Sequence, residues 1–170
     1  MNNFKNWVFA GVVACLVTPA LLAQPIKVKK LDDPAPAQVL FVGNSYFYYN
    51  DSLHNHVNRL VQAHDEGLAE RIAYKSATIG GADLNHHDVA GHLELGRLGL
   101  EKPFDLVILQ GGSGEPLRES RRRIFTETAR QHSAAIRETG AEVALYMTPA
   151  YSDVHSRYDP DMIDKIASLY

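Results

Sequence analysis

The stretch Gly43-Asn44-Ser45 places a serine where a side chain can do chemistry. It follows the apolar run VLFV, which is typical of a strand buried on both faces, and it precedes a segment with helical spacing. A serine at such a strand-to-helix turn exposes its hydroxyl, and the backbone N–H groups of the turn can stabilise an anion. An exposed hydroxyl and nearby N–H donors are the features that an acyl-transfer nucleophile requires. The alternative is that Asn44 and Ser45 only satisfy hydrogen bonds of the turn.

Two glycine pairs end other apolar segments of the chain. Gly80-Gly81 follows RIAYKSATI, and Gly111-Gly112 follows FDLVILQ. In a parallel sheet the carboxyl ends of the strands lie along one edge, and ligands bind there. The sequence therefore predicts that Ser45 and both glycine pairs lie at the same edge.

Strands and helices alternate along the chain. Strands are predicted in QVLFVG, RIAYKSATIGG, FDLVILQGG and AEVALYMTPA. Helices are predicted after Asp51 or Ser52, from about Leu84 to Leu100, across the polar segment that ends at Gly140, and in DPDMIDKIASLY. This alternation predicts an α/β fold with a parallel sheet between two helix layers, a three-layer α/β/α sandwich.

Together these blocks resemble the SGNH (GDSL-like) hydrolases, whose fold is flavodoxin-like. VLFVGNSYFYYND is similar to the first block of that family, which implies that Ser45 is the nucleophile. TIGGADLNHH is similar to the second block, which implies an oxyanion hole formed by the N–H groups of Ser45 and Gly81. The implied function is an exported serine hydrolase that cleaves a carboxylic ester, such as an acyl or acetyl group on a carbohydrate, through an acyl-enzyme.

The third block departs from the family pattern. FDLVILQGGSGEP occupies its place, but the family's asparagine, a side-chain donor to the oxyanion, falls at Gly112. That donor is either missing or supplied by Gln110 or Ser113, with Gly112 itself a further oxyanion candidate. Losing one such donor raises the barrier by about 2.7–4 kcal/mol. The predicted substrate contacts are Asn44, Tyr46, Gln110 and Ser113, and an exposed tyrosine can stack on a sugar ring.

The fourth block of the family, Asp-x-x-His, has no counterpart in this sequence. The resemblance therefore predicts a chain truncated after Tyr170, with its last strand and helix missing and with little activity by itself. His155, two residues after Asp153, is an alternative base, although a surface loop histidine is the more economical interpretation. The competing functional class is a non-catalytic domain on the same scaffold that binds a glycan or a small anion.

The N-terminus predicts export. Lys5 precedes an apolar stretch, Trp7–Leu22, and Ala23 follows, which is the pattern of a signal peptide cleaved near Ala23. An uncleaved membrane anchor and a lipoprotein with Cys15 as the lipid carrier are the alternatives. The expected location is periplasmic or secreted, with membrane contact only through the signal peptide.

Charge and cysteine content limit the partners of the mature protein. Removing residues 1–23 takes away Lys5 and no acid, so the formal charge moves from −3 to −4, which disfavours nucleic acid as a partner. It also removes Cys15, the single cysteine, and with it any disulfide or thiolate site. Residues 24–37 are predicted to be a linker, and residues 38–170 the hydrolase-like domain. The expected ligand is a small-molecule or glycan ester.

Histidines and arginines suggest two further sites that the sequence does not favour. Asp88 and His92 would share a helix face as two metal ligands do, but the sequence specifies no third ligand for them or for His54 and His56. Neither a metal nor a cofactor is therefore predicted. The run RESRRR, Arg118–Arg123, could contact an anionic substrate. In a helix its arginines would spread around the surface, which favours a solvated face.

Overall fold

The computed structural model describes residues 30–170. Its sheet has four strands, all parallel, in the order β2-β1-β3-β4. The strands are β1 (Gln38–Gly43), β2 (Ala73–Thr78), β3 (Leu106–Gln110) and β4 (Glu142–Tyr146). Each one lies within a segment for which the sequence predicts a strand. The predicted signal peptide, with its cleavage near Ala23 and the alternative role of Cys15, lies outside the described residues.

Six α-helices and two short 3-10 helices connect the strands within residues 30–170. The α-helices are α1 (Ser45–Tyr48), α2 (Leu53–His64), α3 (Glu66–Ala69), α4 (Val89–Leu93), α5 (Glu119–Glu138) and α6 (Met162–Ala167). The 3-10 helices are Leu84–His86 and Glu115–Leu117. No helix in this part of the chain is long and apolar enough to cross a lipid bilayer.

The sheet buries side chains on both faces because successive residues of a strand point in opposite directions. Leu40 and Val42 of β1 pack on the side of α4 and α5, in a cluster that includes Phe125 and Ile136. Val39 and Phe41 belong to the opposite cluster, which includes Phe47 of α1. The predicted three-layer α/β/α sandwich with a parallel sheet is confirmed.

The predicted helix from about Leu84 to Leu100 is wrong in its extent. The structure has the 3-10 helix Leu84–His86 and the single turn of α4, followed by turns up to Leu100. Gly96 and Gly99 have φ angles of +80° and +70°, in the left-handed region that no α-helix uses. The helical segment is already interrupted at His87 and ends at Glu94, where the backbone is extended, and the two left-handed glycines prevent a helix from resuming before Leu100.

The segment that precedes β1 is hydrogen-bonded to residues at the start of β4 and next to β3. Both carboxylate oxygens of Glu142 accept backbone N–H groups, from Asp32 at 3.0 Å and from Asp33 at 2.8 Å. The Asp105 carboxylate accepts the N–H groups of Ala37 and Gln38, each at 2.8 Å. Residues 30–37 thus lack helix and strand, as a linker would, but they lie against the end of the sheet opposite to the serine.

Candidate active site

A cleft of about 180 Å³ opens at the carboxyl ends of the strands, and Ser45 lines it. Four segments that are distant in the sequence meet there: the end of β1, the loop after β2, the loop after β3 and the loop after β4. The lining residues are Asn44, Ser45, Tyr46, Gly81, Asp83, Gly112, Ser113, Gly114, Arg121, Tyr151 and Arg157. Six of the residues that the sequence singles out, Asn44, Ser45, Tyr46, Gly81, Gly112 and Ser113, therefore share one cleft.

The backbone N–H groups of Ser45 and Gly81 are among those of the cleft that are free to bind an anion. Within residues 30–170, neither the N–H of Ser45 nor that of Gly81 donates a hydrogen bond to another protein group. Gly81 has a φ angle of +71°, and no atom lies within 4 Å of the position that a Cβ would occupy. This open, left-handed backbone turns the loop after β2 towards the serine and leaves the Gly81 N–H accessible.

Asn44 connects three of the segments that form the cleft: the end of β1, the loop after β2 and the loop after β3. Its side-chain amide donates to the carbonyl of Ala82 at 2.9 Å and to that of Gly111 at 3.2 Å, and its side-chain oxygen accepts the N–H of Tyr46 at 3.2 Å. The residue is 3% exposed. Because all its polar side-chain atoms are engaged within the protein, Asn44 lies in the wall of the cleft as a positioning residue and has no free group for the predicted substrate contact.

Gln110, for which the sequence predicts a substrate contact or an oxyanion donor, is not among the residues that line the cleft. Its side chain is fully buried, its oxygen accepts the N–H of Asn44 at 3.0 Å, and its amide donates to the carbonyl of Gly111. A Cβ on Gly43 would lie 2.6 Å from the Gln110 oxygen, so glycine is required there for close packing. Gln110 therefore joins the ends of β1 and β3.

Gly112 lines the cleft, but its N–H is already engaged. It donates to Oε2 of Glu115, so this group is not a third oxyanion donor as the sequence suggested. Glu115 is 1% exposed. Burial, together with repulsion from Asp83, raises the pKa of the Glu115 carboxyl to about 7, against the opposing effect of the Gly112 hydrogen bond.

Ser113 and Tyr151 form one side of the cleft. Their hydroxyl groups are 2.7 Å apart, which links the loop after β3 to the loop after β4. The ring of His155 stacks on the ring of Tyr151 with centroids 4.0 Å apart, and its Nδ1 accepts the N–H of Arg157 at 3.0 Å. His155 is exposed and is not among the residues that line the cleft, so the structure does not bring this candidate base together with Ser45.

One ion pair and one further arginine of the cleft were not expected from the sequence. Arg121, at the start of α5, makes an ion pair with Asp83 in the loop after β2. Arg157 lines the same cleft from the loop after β4. The prediction of a solvated face for the arginine run is thus wrong for Arg121. The position of Arg121 indicates that it faces the protein, because it precedes the buried Phe125 by four residues and so shares its helix face.

Histidines do not form a metal site in residues 30–170. No group of three or more histidine, cysteine, aspartate or glutamate side chains is close enough there to hold a metal ion. His87 is buried with both ring nitrogens unpaired in this part of the structure. Burial, reinforced by repulsion from neighbouring histidines, lowers its pKa to about 4, so the ring is neutral at pH 7.

Comparison with known proteins supports the fold. No family model and no curated protein match the chain. Among solved structures, it is similar to a protein described as an SGNH hydrolase from Slackia heliotrinireducens, with 20% identity and a TM-score of 0.56 over 78% of this chain and 70% of that one. It is also similar to the acetyl xylan esterase AlAXEase, with 18% identity and a TM-score of 0.55 over 78% and 71% of the two chains. The fold is thus that of the family that the sequence resembles.

Proposed function

We propose that the protein is a serine hydrolase that cleaves a carboxylic ester through an acyl-enzyme on Ser45. One observation carries this proposal: Ser45 and Gly81 line the same cleft, and the backbone N–H groups of both residues have no partner within residues 30–170. Preorganised donors of this kind stabilise the negative charge that develops on a carbonyl oxygen during acyl transfer.

The chemistry follows from this arrangement. Ser45 Oγ bonds to the ester carbonyl carbon while its proton passes to a general base, and the carbonyl oxygen becomes an oxyanion held by the two N–H groups. Collapse of this intermediate breaks the bond to the alcohol oxygen, and the alcohol leaves with the proton. Water then attacks the acyl-enzyme and releases the carboxylic acid, which restores the serine.

The shape of the cleft supports a small acyl group on a carbohydrate. Its volume of about 180 Å³ suits an acetyl or similar group, and the rings of Tyr46 and Tyr151 at its wall can pack against a sugar. A protein of similar fold is named an acetyl xylan esterase. We propose the same general substrate class for this chain, acting after export as its N-terminal sequence suggests.

Covalent labelling tests the nucleophile directly. A fluorophosphonate reacts with activated serines, so the full-length wild-type protein should become labelled at Ser45, as located by mass spectrometry of the digested protein. The Ser45→Ala variant should lose at least 95% of the label, because no other activated serine is expected. Ser120→Ala, which removes an exposed serine of α5 outside the cleft, should label like the wild type.

A non-catalytic binding domain is the second candidate. Two observations favour it: Gly112 and Gln110 both use their donors within the protein, and no histidine lines the cleft within residues 30–170. Such a domain would bind a glycan or small anion at the same cleft without activating the serine. An unlabelled Ser45 in the folded full-length wild-type protein, with no release of 4-nitrophenol from 4-nitrophenyl acetate above background, would reject the hydrolase and favour this alternative.

A further inference from the structure

Two guanidinium groups converge on one point of the cleft. If Gly114 carried a Cβ, this atom would lie 2.8 Å from Nη1 of Arg121 and 3.8 Å from Nη1 of Arg157. The first distance is too short for a real contact, so an alanine here would require the Arg121 guanidinium to shift. The two arginines come from α5 and from the loop after β4, and only the tertiary fold brings them together.

The positive charge at this point is not fully balanced by the protein. Asp83 pairs with Arg121 through Nη2 and leaves Nη1, the nitrogen near Gly114, for another acceptor. Arg157 has no ion pair within residues 30–170. The nearby Glu115 carboxyl, buried behind Gly112, is only partly charged near neutral pH. The cleft therefore offers one paired and one unpaired guanidinium.

We propose that Arg157 and Arg121 form a carboxylate-binding subsite beside Ser45, so that the preferred substrate is an ester with a carboxylate near the scissile bond. This inference rests on the proposed function, whose substrate it narrows. The carboxylate belongs either to the alcohol, as in an acetylated uronic acid, or to the acyl group, as in a hemisuccinate.

The chemistry of the two side chains supports a carboxylate. A guanidinium presents planar N–H donors that match the oxygens of a carboxylate, and such charge-assisted hydrogen bonds are among the stronger ones in proteins. Ser113 and Tyr151, whose hydroxyls bond to each other, lie in the same cleft and add polar contacts. Arg157 is an exposed residue of this cleft, so its guanidinium contacts solvent until a carboxylate binds.

Paired substrates test the charge preference during hydrolysis. On the alcohol side, an acetylated methyl galacturonoside is compared with the corresponding acetylated methyl galactoside. On the acyl side, mono-4-nitrophenyl succinate is compared with 4-nitrophenyl acetate. We expect kcat/KM to be at least tenfold higher for the charged member of one pair, after correction for background hydrolysis. The pair that shows the preference identifies which part of the substrate carries the carboxylate.

Arg157→Gln and Arg123→Gln separate a local contact from a general charge effect. Both remove one positive charge, but Arg123 is exposed on α5 and does not line the cleft. Arg157→Gln should reduce the charged-to-neutral ratio of kcat/KM about tenfold, and Arg123→Gln should leave it within twofold of the wild type. Equal ratios in all three proteins, or equal losses in both variants, would overturn the proposed subsite.

A binding measurement separates this subsite from catalysis. In the Ser45→Ala protein, calorimetric titration should show galacturonate binding at least tenfold more tightly than galactose, and Arg157→Gln added to this protein should abolish the difference. Carboxylate-selective binding in a wild-type protein that hydrolyses no ester would support the subsite while rejecting the hydrolase. Ester hydrolysis with no carboxylate preference in either assay would reject the subsite and leave the hydrolase standing.

Discussion

Asn44 shows at the scale of single residues how the cleft is kept in shape. It stands beside Ser45, and its side chain binds the carbonyls of Ala82 and Gly111 and the N–H of Tyr46. These contacts join the ends of β1 and β3 to the loop after β2. The residue next to Ser45 therefore acts by placing the loops that line the rest of the cleft.

Replacing Asn44 should affect both stability and reactivity. Asn44→Ala leaves the Ala82 carbonyl and the Tyr46 N–H without their partners, while the Gly111 carbonyl keeps the Gln110 amide. An unsatisfied buried group costs about 1–3 kcal/mol. We expect the free energy of unfolding to fall by about 2 kcal/mol or more in urea titrations, and the rate of Ser45 labelling to fall with it. Asn85→Ala, at an exposed position in the 3-10 helix Leu84–His86, is the control and should change stability by less than about 0.5 kcal/mol.

At the scale of elements, glycines with positive φ angles perform two different tasks. Gly81 turns the loop after β2 into the cleft, with φ at +71°. Gly140, with φ at +88°, follows α5 and directs the chain into β4 at the opposite end of the sheet. Neither has an atom within 4 Å of a Cβ position, so an alanine at either site would be disfavoured by backbone conformation and not by a clash.

This pair gives a matched test of the Gly81 N–H. Alanine at either position should lower the free energy of unfolding by about 1 kcal/mol, because an L-residue is disfavoured in the left-handed region. Gly81→Ala should in addition slow phosphonate labelling of Ser45 about tenfold or more, since relaxation of the backbone moves an oxyanion donor. Gly140→Ala should leave the labelling rate unchanged. Equal labelling rates in the two variants would exclude a role for the Gly81 N–H.

Buried ionisable groups give the whole molecule a pH-dependent stability with two opposing parts. The pKa of Glu115 is raised to about 7. Its contribution to the free energy of unfolding is therefore complete below pH 4.5 and is lost as the pH rises through 7. The pKa of His87 is lowered to about 4. Its contribution to the free energy of unfolding is therefore present above pH 6.5 and is lost as the pH falls through 4. The two effects partly cancel between pH 4 and pH 7.

Glu115→Gln isolates one of these effects. The glutamine keeps the size of the protonated acid and cannot ionise, so its stability relative to the wild type should increase between pH 5 and pH 8. The pKa shift allows a gain of up to about 3 kcal/mol, reduced by the lost charge-assisted bond to the Gly112 N–H. Urea unfolding of both proteins across this pH range measures it. Parallel stability curves would show that Glu115 ionises normally in the folded protein.

Local sequence patterns determined the layered fold and the position of the serine. Apolar runs such as VLFV indicate a strand that is buried on both faces, and a following glycine indicates the turn that ends the strand. These are short-range properties, and four such runs were enough to predict a parallel sheet with Ser45 and Gly81 at one edge. The long helix predicted after Leu84 was wrong because the backbone is extended at His87 and Glu94, and Gly96 and Gly99 adopt left-handed conformations after them.

Only the tertiary structure decided which other side chains enter the cleft. Gln110 and Arg121 show the difference: the former turns inward to hold Asn44, and the latter turns from an arginine-rich helix towards Asp83. Arg157 joins them from a loop without regular secondary structure. Such contacts depend on how helices and loops 38 or more residues apart pack on the sheet. No local propensity encodes them, since propensity acts within a few residues along the chain.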